Sequence, residues 1–309
     1  MIPRAVCVLF SGLLLAASQL ALASKFTDDL ERVDEALTTN PHHKLRQSLV
    51  ACKKQRDFAT SLYRSNMTTE AERYLRFCFE LLGIPEEAPI EKVSVADQAE
   101  LEARARAQYK KAMSLTPDVA NGLKIYAECA ACHQAEGFGS TTGSTPQIAG
   151  QHRSVIIKQL ADYRTGARES VLMAPYAATE VIGGEQAVAD VAQYISTLPV
   201  SVDNGKGLGV GLPVGEQLYA EQCAACHGAN GEGSDEKRVP RLQAQHYKYL
   251  VRQFDWIRSG QRGNADAAMV AKVHDLPDNE VQGALDYISR LMPPEELRAP
   301  EGWKNPDFK

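Results

Sequence analysis

Two copies of one five-residue pattern constrain this chain of 309 residues more than any other feature: Cys129-Ala130-Ala131-Cys132-His133 and Cys223-Ala224-Ala225-Cys226-His227. Two thiols three positions apart reach the two vinyl groups of one protoporphyrin and form thioethers, and the adjacent histidine then sits under the iron. A lone C-x-x-C also suits a redox disulfide or half of a zinc site. Both copies carry the histidine in the same place, however, and zinc needs four ligands from one cluster. The pattern therefore implies two covalently bound haem c groups, attached at Cys129, Cys132, Cys223 and Cys226, with His133 and His227 as iron ligands.

The duplication extends well past the motif. At the shift of 94 that separates Cys132 from Cys226, Pro146 meets Pro240, Gln151-His152 meets Gln245-His246, Gln159 meets Gln253, Arg164 meets Arg258, Gly166 meets Gly260 and Arg168 meets Arg262. Near the close, Tyr194-Ile195-Ser196 meets Tyr287-Ile288-Ser289 at a shift of 93. Two homologous domains in tandem follow, over 117–200 and 201–309. Each opens on a glycine and an aromatic, Gly122 with Tyr126 and Gly215 with Tyr219. Such a glycine lets two helices approach closely, and packing is the simplest role for these tyrosines together with Tyr194 and Tyr287.

A haem iron held by one histidine has a sixth position, and its occupant separates an electron carrier from a ligand-binding enzyme. Met173 follows His133 by 40 residues and Met269 follows His227 by 42, so each repeat offers one thioether at a matched place. Met292, beside Pro293-Pro294, reads as a packing residue. An isolated methionine is ordinarily core filler, but the matched placement makes Met173 and Met269 the expected axial ligands. His152 and His246 also match and are the rivals; capping or a surface contact is their simpler role. His274, His42 and His43 read as surface residues.

Over roughly 117–296 the chain resembles the dihaem cytochrome c4 family. The resemblance rests on both C-x-x-C-H motifs, Pro146-Gln147-Ile148-Ala149-Gly150-Gln151, the Gln159-Leu160 and Gly166-Ala167-Arg168 spacing, Met173-Ala174-Pro175, and the closing Tyr-Ile-Ser helices. It implies two small helical cytochrome folds, histidine and methionine ligation at both irons, and electron delivery toward a terminal oxidase. Two departures stand out. Tyr126 lies three residues before Cys129 whereas Tyr219 lies four before Cys223, so a distorted helix approach is expected in the first domain. Gln243-Ala244 replaces Ala149-Gly150 in the second repeat, which alters the expected haem surround there.

The chain starts with Arg4 ahead of an apolar run over about 5–21 and a small-x-small site at Ala21-Leu22-Ala23. This is the pattern of a signal peptide cleaved after Ala23, so residues 1–23 are a leader and the mature chain is expected in the periplasm. No later stretch approaches the roughly 18 apolar residues of a transmembrane helix. The segment 24–116 lies outside the family pattern and reads as a small helical domain. A helix over about 44–63, a break at Arg64-Ser65-Asn66, and a second helix opened by the capping box Thr69-Glu70-Ala71-Glu72 form a hairpin that brings Cys52 and Cys78 level. In an oxidising compartment that predicts a disulfide, contributing about 3–4 kcal/mol on the chain-entropy estimate. A further helix over about 96–113 leads through Pro117 into the first haem domain.

The fold class expected is thus all-α: two tandem cytochrome c domains behind a small helical one. Charges number 15 positive and 15 negative over 24–116, 5 and 8 over 117–200, and 13 and 16 over 201–309, so nothing is basic enough for nucleic acid. The chain contains no nucleophile with an adjacent base, no phosphate loop and no carboxylate pair at diagnostic spacing. An electron-transfer protein working between redox proteins is the expectation, with a membrane oxidase or a dehydrogenase as partner. The alternative is a cytochrome subunit of a periplasmic oxidoreductase, for instance one that oxidises a sulfur compound.

Overall fold

The structure is a computed structural model that describes residues 95–170 and 172–308, together with Leu30, Val33, Cys52, Arg56, Asp57, Ala59, Thr60 and Leu75. The chain divides into two compact units, one of residues 1–95 with 170–175 and the other of 96–169 with 176–309. In the first unit Val33, Cys52, Ala59 and Leu75 are helical and fully buried. The leader, most of the expected hairpin and Cys78 lie outside the described residues.

Helix α1 (Val95–Ser114) is one residue longer at each end than the alanine-rich pattern predicts. The first haem domain follows with α2 (Val119–His133), α3 (Arg153–Thr165), the short α4 (Met173–Ala177) and α5 (Thr179–Ile182), and α6 (Glu185–Thr197). The second has α7 (Leu212–Leu218), a π-helical turn (Tyr219–Cys223), α8 (Ala224–His227), α9 (Tyr247–Arg258), α10 (Ala267–Val273) and α11 (Asp278–Arg290). Among the described residues β-structure is confined to two isolated bridges, Val200 with Arg298 and Ser234 with Val239.

Local chemistry sets the helix ends. Asp118 caps α2 by accepting from the amides of Ala120 and Asn121, and Gly166 ends α3 in the left-handed conformation at φ 84°. The first and last helices of each haem domain cross at the glycines. A Cβ on Gly122 would stand 2.2 Å from the Asp190 carbonyl oxygen, and one on Gly215 would stand 2.1 Å from the Gly283 carbonyl carbon. Beside each crossing the aromatics pack, Tyr126 on Tyr194 with ring centroids 5.2 Å apart and Tyr219 on Tyr287 at 5.8 Å. The phenols do more than fill space. The Tyr126 hydroxyl donates to the Gln134 carbonyl at 2.8 Å and the Tyr219 hydroxyl to that of Gly228 at 2.6 Å, in each case the residue after the motif histidine.

The distortion expected in the first domain occurs in the second. Tyr126-Ala127-Glu128-Cys129 aligns with Tyr219-Ala220-Glu221-Gln222-Cys223, so Gln222 is the extra residue. The backbone absorbs it as the π-helical turn, while α2 runs unbroken to His133. The substitution of Ala244 for Gly150 leaves the backbone alike: both adopt positive φ, 53° and 65°.

The two haem domains meet through a reciprocal set of contacts. The Gln151 side chain accepts from the Arg241 amide and donates to the Arg241 carbonyl, while Gln245 does the same to Gln147. His152 Nε2 donates to the Glu232 carbonyl and His246 Nε2 to that of Phe138, both at 2.7 Å. Residues 138 and 232, 147 and 241, 151 and 245, and 152 and 246 are all repeat-equivalent pairs, so the interface has pseudo-twofold symmetry. Within the second domain Gly207 and Gly209 donate to Asp286, while the C-terminal tail returns to the first domain, with Phe308 edge-on to Tyr126 at 5.7 Å and Asn305 donating to the Ala135 carbonyl.

Candidate haem sites

Each motif histidine ends a helix and is buried, His133 at 5% exposure and His227 at 9%. Its Nδ1 bonds a backbone carbonyl: that of Pro146 at 3.0 Å for His133, and that of Pro240 at 3.2 Å for His227. A carbonyl only accepts, so Nδ1 carries the proton and Nε2 keeps its lone pair for a metal. Burial pushes His133 down to about 4 and lowers His227 as well, against the raising effect of the carbonyl. Both rings are held neutral, the form that ligates.

The loops that supply those carbonyls are alike. Gly139 donates to the His133 carbonyl at 3.0 Å and Gly233 to that of His227 at 2.8 Å, closing a tight turn after each helix. Both glycines have positive φ. A Cβ on Gly139 would lie 2.4 Å from the Pro146 oxygen, and one on Gly233 would lie 2.5 Å from the Val239 oxygen. The repeat alignment pairs Pro146 with Pro240, but their function resides in a main-chain atom. Side-chain chemistry carries no signal for it.

The four motif cysteines are outside any disulfide, Cys129 and Cys223 half-buried and Cys132 and Cys226 exposed. Burial, and then the neighbouring Cys226, push the Cys223 thiol up to about 11. That direction is opposite to the lowered value of a reactive thiol in a redox C-x-x-C pair. Among the described residues no three His, Cys, Asp or Glu side chains gather into one cluster.

In the second domain Cys223, Ala224, Leu242, Tyr247, Val251 and Met269 pack against one apolar cluster that includes Leu250, Phe254 and Ile257 of α9. Cys223 and the candidate ligand Met269 thus share one apolar wall. Asp266 caps α10 and accepts from the Met269 amide, fixing where that residue starts its helix. Arg258 donates to the Leu276 carbonyl and so ties down the segment beyond it. Met173 opens α4, and its amide donates to the Ser170 hydroxyl at 3.1 Å.

Three of the other expectations come out differently. Met292 is 43% exposed rather than packed. His152 and His246 each precede a helix but make no side-chain cap, because their rings serve the domain interface. His246 is buried and accepts from the Gly205 amide at Nδ1, so both ring nitrogens are engaged. His274 is exposed and bonds Asp275, as a surface residue would.

Comparison with known proteins agrees with this geometry. The sequence profile of cytochrome c matches residues 119–199, and that of cytochrome c oxidase, cbb3-type, subunit III matches 212–288. Cytochrome c4 of Thiocapsa roseopersicina is 32% identical over 186 residues, covering 56% of this chain and 88% of the relative. The thiosulfate dehydrogenase electron acceptor of Stutzerimonas stutzeri is 29% identical over 198 residues, covering 58% and 90%. The crystal structure of reduced recombinant cytochrome c4 from Pseudomonas stutzeri superposes with a TM-score of 0.51 at 27% identity, covering 57% of this chain and all of that one. The chain therefore belongs to the dihaem cytochrome c4 family, electron-transfer proteins that carry two covalently bound haem c groups.

Proposed function

We propose that the protein is exported to the periplasm and passes single electrons between redox proteins, with Cys129, Cys132, His133 and Met173 serving one haem and Cys223, Cys226, His227 and Met269 the other. The observation that carries this reading is the repeated histidine geometry, in which a carbonyl fixes each ring with Nε2 available. Bound haem iron supplies a one-electron couple. The chain's part is to hold each imidazole neutral and oriented, to tether the macrocycle through the thiols, and to keep water out with apolar residues such as Leu250, Phe254 and Ile257. No proton has to move at these residues when the electron does. Cys52 is disulfide-bonded, and pairing with Cys78 completes the reading of the N-terminal hairpin. A cross-linked peptide containing both residues in the unreduced protein checks that pairing.

Two partners suit such a carrier. Delivery to a terminal oxidase is the first. The second is acceptance from a sulfur-compound dehydrogenase, favoured by the similarity to a thiosulfate dehydrogenase electron acceptor. Stopped-flow mixing separates them. Rapid reduction by thiosulfate dehydrogenase with thiosulfate supports the second, and rapid oxidation of the reduced protein by oxidase-containing membranes supports the first. Failure in both would overturn the carrier role.

A further inference from the structure

Four repeat-related side chains remain outside the haem attachment and the reciprocal contacts above: Gln159 and Arg168 of the first domain, Gln253 and Arg262 of the second. They form one ring across the domain seam. Arg168 donates to its own domain's Gln159 and, at 2.6 Å, to Gln253; Arg262 donates to Gln253 at 3.0 Å and across to Gln159 at 3.3 Å. Each glutamine oxygen thus accepts from guanidiniums of both domains. Asn264 extends the ring by donating to Gln159 and Asp162, and Arg168 stacks over the Tyr163 ring at 4.7 Å.

The ring brings two guanidiniums together away from water. Their hydrogen bonds go to amide oxygens and to the Tyr249 phenol, where burial raises the pKa but Arg168 and Arg262 outweigh it and bring it below the usual value. The nearby carboxylate, Asp162, is already paired with Lys158. Arg168 is buried, and burial, then repulsion from Arg168, bring Arg262 down to about 10. Positive charge held away from water is costly unless an anion faces it. The ring is also connected along the chain to both candidate haem sites. Gln253 sits on α9 next to Phe254 of the apolar wall shared by Cys223 and Met269. Arg168 and Arg262 lie in the chain just before the segments that carry Met173 and Met269.

We propose that the Arg168–Gln253–Arg262–Gln159 ring is a single electrostatic junction shared by the two haems, so that the midpoint potential of each depends on residues of the other domain. A fixed positive charge in a poorly screened site disfavours the ferric state, which carries one more positive charge than the ferrous. Because each guanidinium is bonded to both domains, its charge is held between the two sites instead of beside one.

The test is a spectroelectrochemical titration of the holoprotein, with the two haems told apart by the resonances of their axial-ligand methyl groups. Arg168→Gln should lower both potentials, and Arg168→Lys, which keeps the charge and loses the fork, should stay close to the wild type. A merely structural role predicts instead that Lys behaves like Gln. Gln253→Glu, which adds a carboxylate between the guanidiniums of Arg168 from the first domain and Arg262 from its own, should also lower both and carries the test if Arg168→Gln does not fold. The proposal rests on the dihaem reading, and a haemochrome assay giving two haems per chain in each variant keeps the two failures distinct. A shift confined to the mutated domain's own haem, or no shift at either, would overturn the junction.

Discussion

At the scale of single residues, a side chain's role here follows from what its polar atoms meet. The motif histidines meet one carbonyl each and keep a free nitrogen, whereas His246 spends both nitrogens on the fold. Its Nδ1 accepts from Gly205 and its Nε2 donates to Phe138, a pattern only the neutral ring can make. Burial lowers its pKa, and the Phe138 carbonyl opposes that effect. The unfolded chain therefore takes up a proton first. The His246 contribution is complete above about pH 6.5 and is lost as pH falls below it, toward the folded value. His246→Ala should cost about 1–3 kcal/mol in urea melts at pH 8 by leaving buried groups unpaired, and should flatten this part of the pH dependence. Met173 and Met269 make a contrasting prediction. Replacing both by alanine should abolish the weak ferric band at the red edge that reports iron–sulfur bonding, with both haems still attached; an undiminished band would refute the assignment. Matched spacing singled out the histidines and methionines as candidates in the sequence. The repeat flagged His152 and His246 too, yet sequence cannot say that a matched pair faces the other domain, because that depends on how two similar surfaces dock.

At the scale of elements, the repeat made each helix legible, and the crossing glycines told which pairs would touch. What it did not tell was how the chain handles an extra residue. A helix that must present Gly215 and Tyr219 on one side and Cys223 and His227 on another has two ways to absorb Gln222: rotate the first part out of contact, or add one residue to a turn. Contacts of Tyr219 with Tyr287 and Gly228 favour the second, and the π-helical turn results. Deleting Gln222 makes Tyr219 onward read Tyr-Ala-Glu-Cys-Ala-Ala-Cys-His, the same as 126–133, which already folds as unbroken helix. The shortened variant should keep both haems and most of its thermal stability. Deleting Glu128 from α2 should instead be severe, since no wide turn exists there to give up the residue and Gly122 and Tyr126 would rotate off α6 by about 100°. Mass spectrometry for haem content and a melting curve compare the two. Equal damage from both deletions would show that the π-helical turn is not a reserve of register.

At the scale of the whole molecule, the segment ahead of the haem domains is two things in sequence. Composition and the capping signals mark 24–116 as helical and cofactor-free, but nothing in them divides it. The compact units do, since α1 from residue 96 belongs with the haem domains. Lys111 pairs with Glu185 at 2.9 Å, and Arg153 donates to the carbonyls of Ala112 and Leu115, so the C-terminal half of α1 is held by the first haem domain. Arg238 of the second stacks over Tyr109 at 5.2 Å, and Gln98 donates to Ala167 while lying against Gly263. The helix is therefore a splint over the seam between the two domains. Two truncations of the protein should behave differently. Removal of 24–94 spares the splint, so both haem spectra and the melting temperature should hold. If the removed part docks a redox protein, transfer to that partner should slow and its salt dependence change, because transient redox encounters use small interfaces steered by charge. Removal of 24–115 also takes the splint. The haems should remain attached, since the proposed ligands and tethers all lie beyond residue 117, but the melting temperature should drop and the two domains should lose their fixed relation. Unchanged stability after the longer truncation would show that α1 is a passenger, and an unchanged transfer rate at low ionic strength after the shorter one would show that 24–94 does not dock the partner.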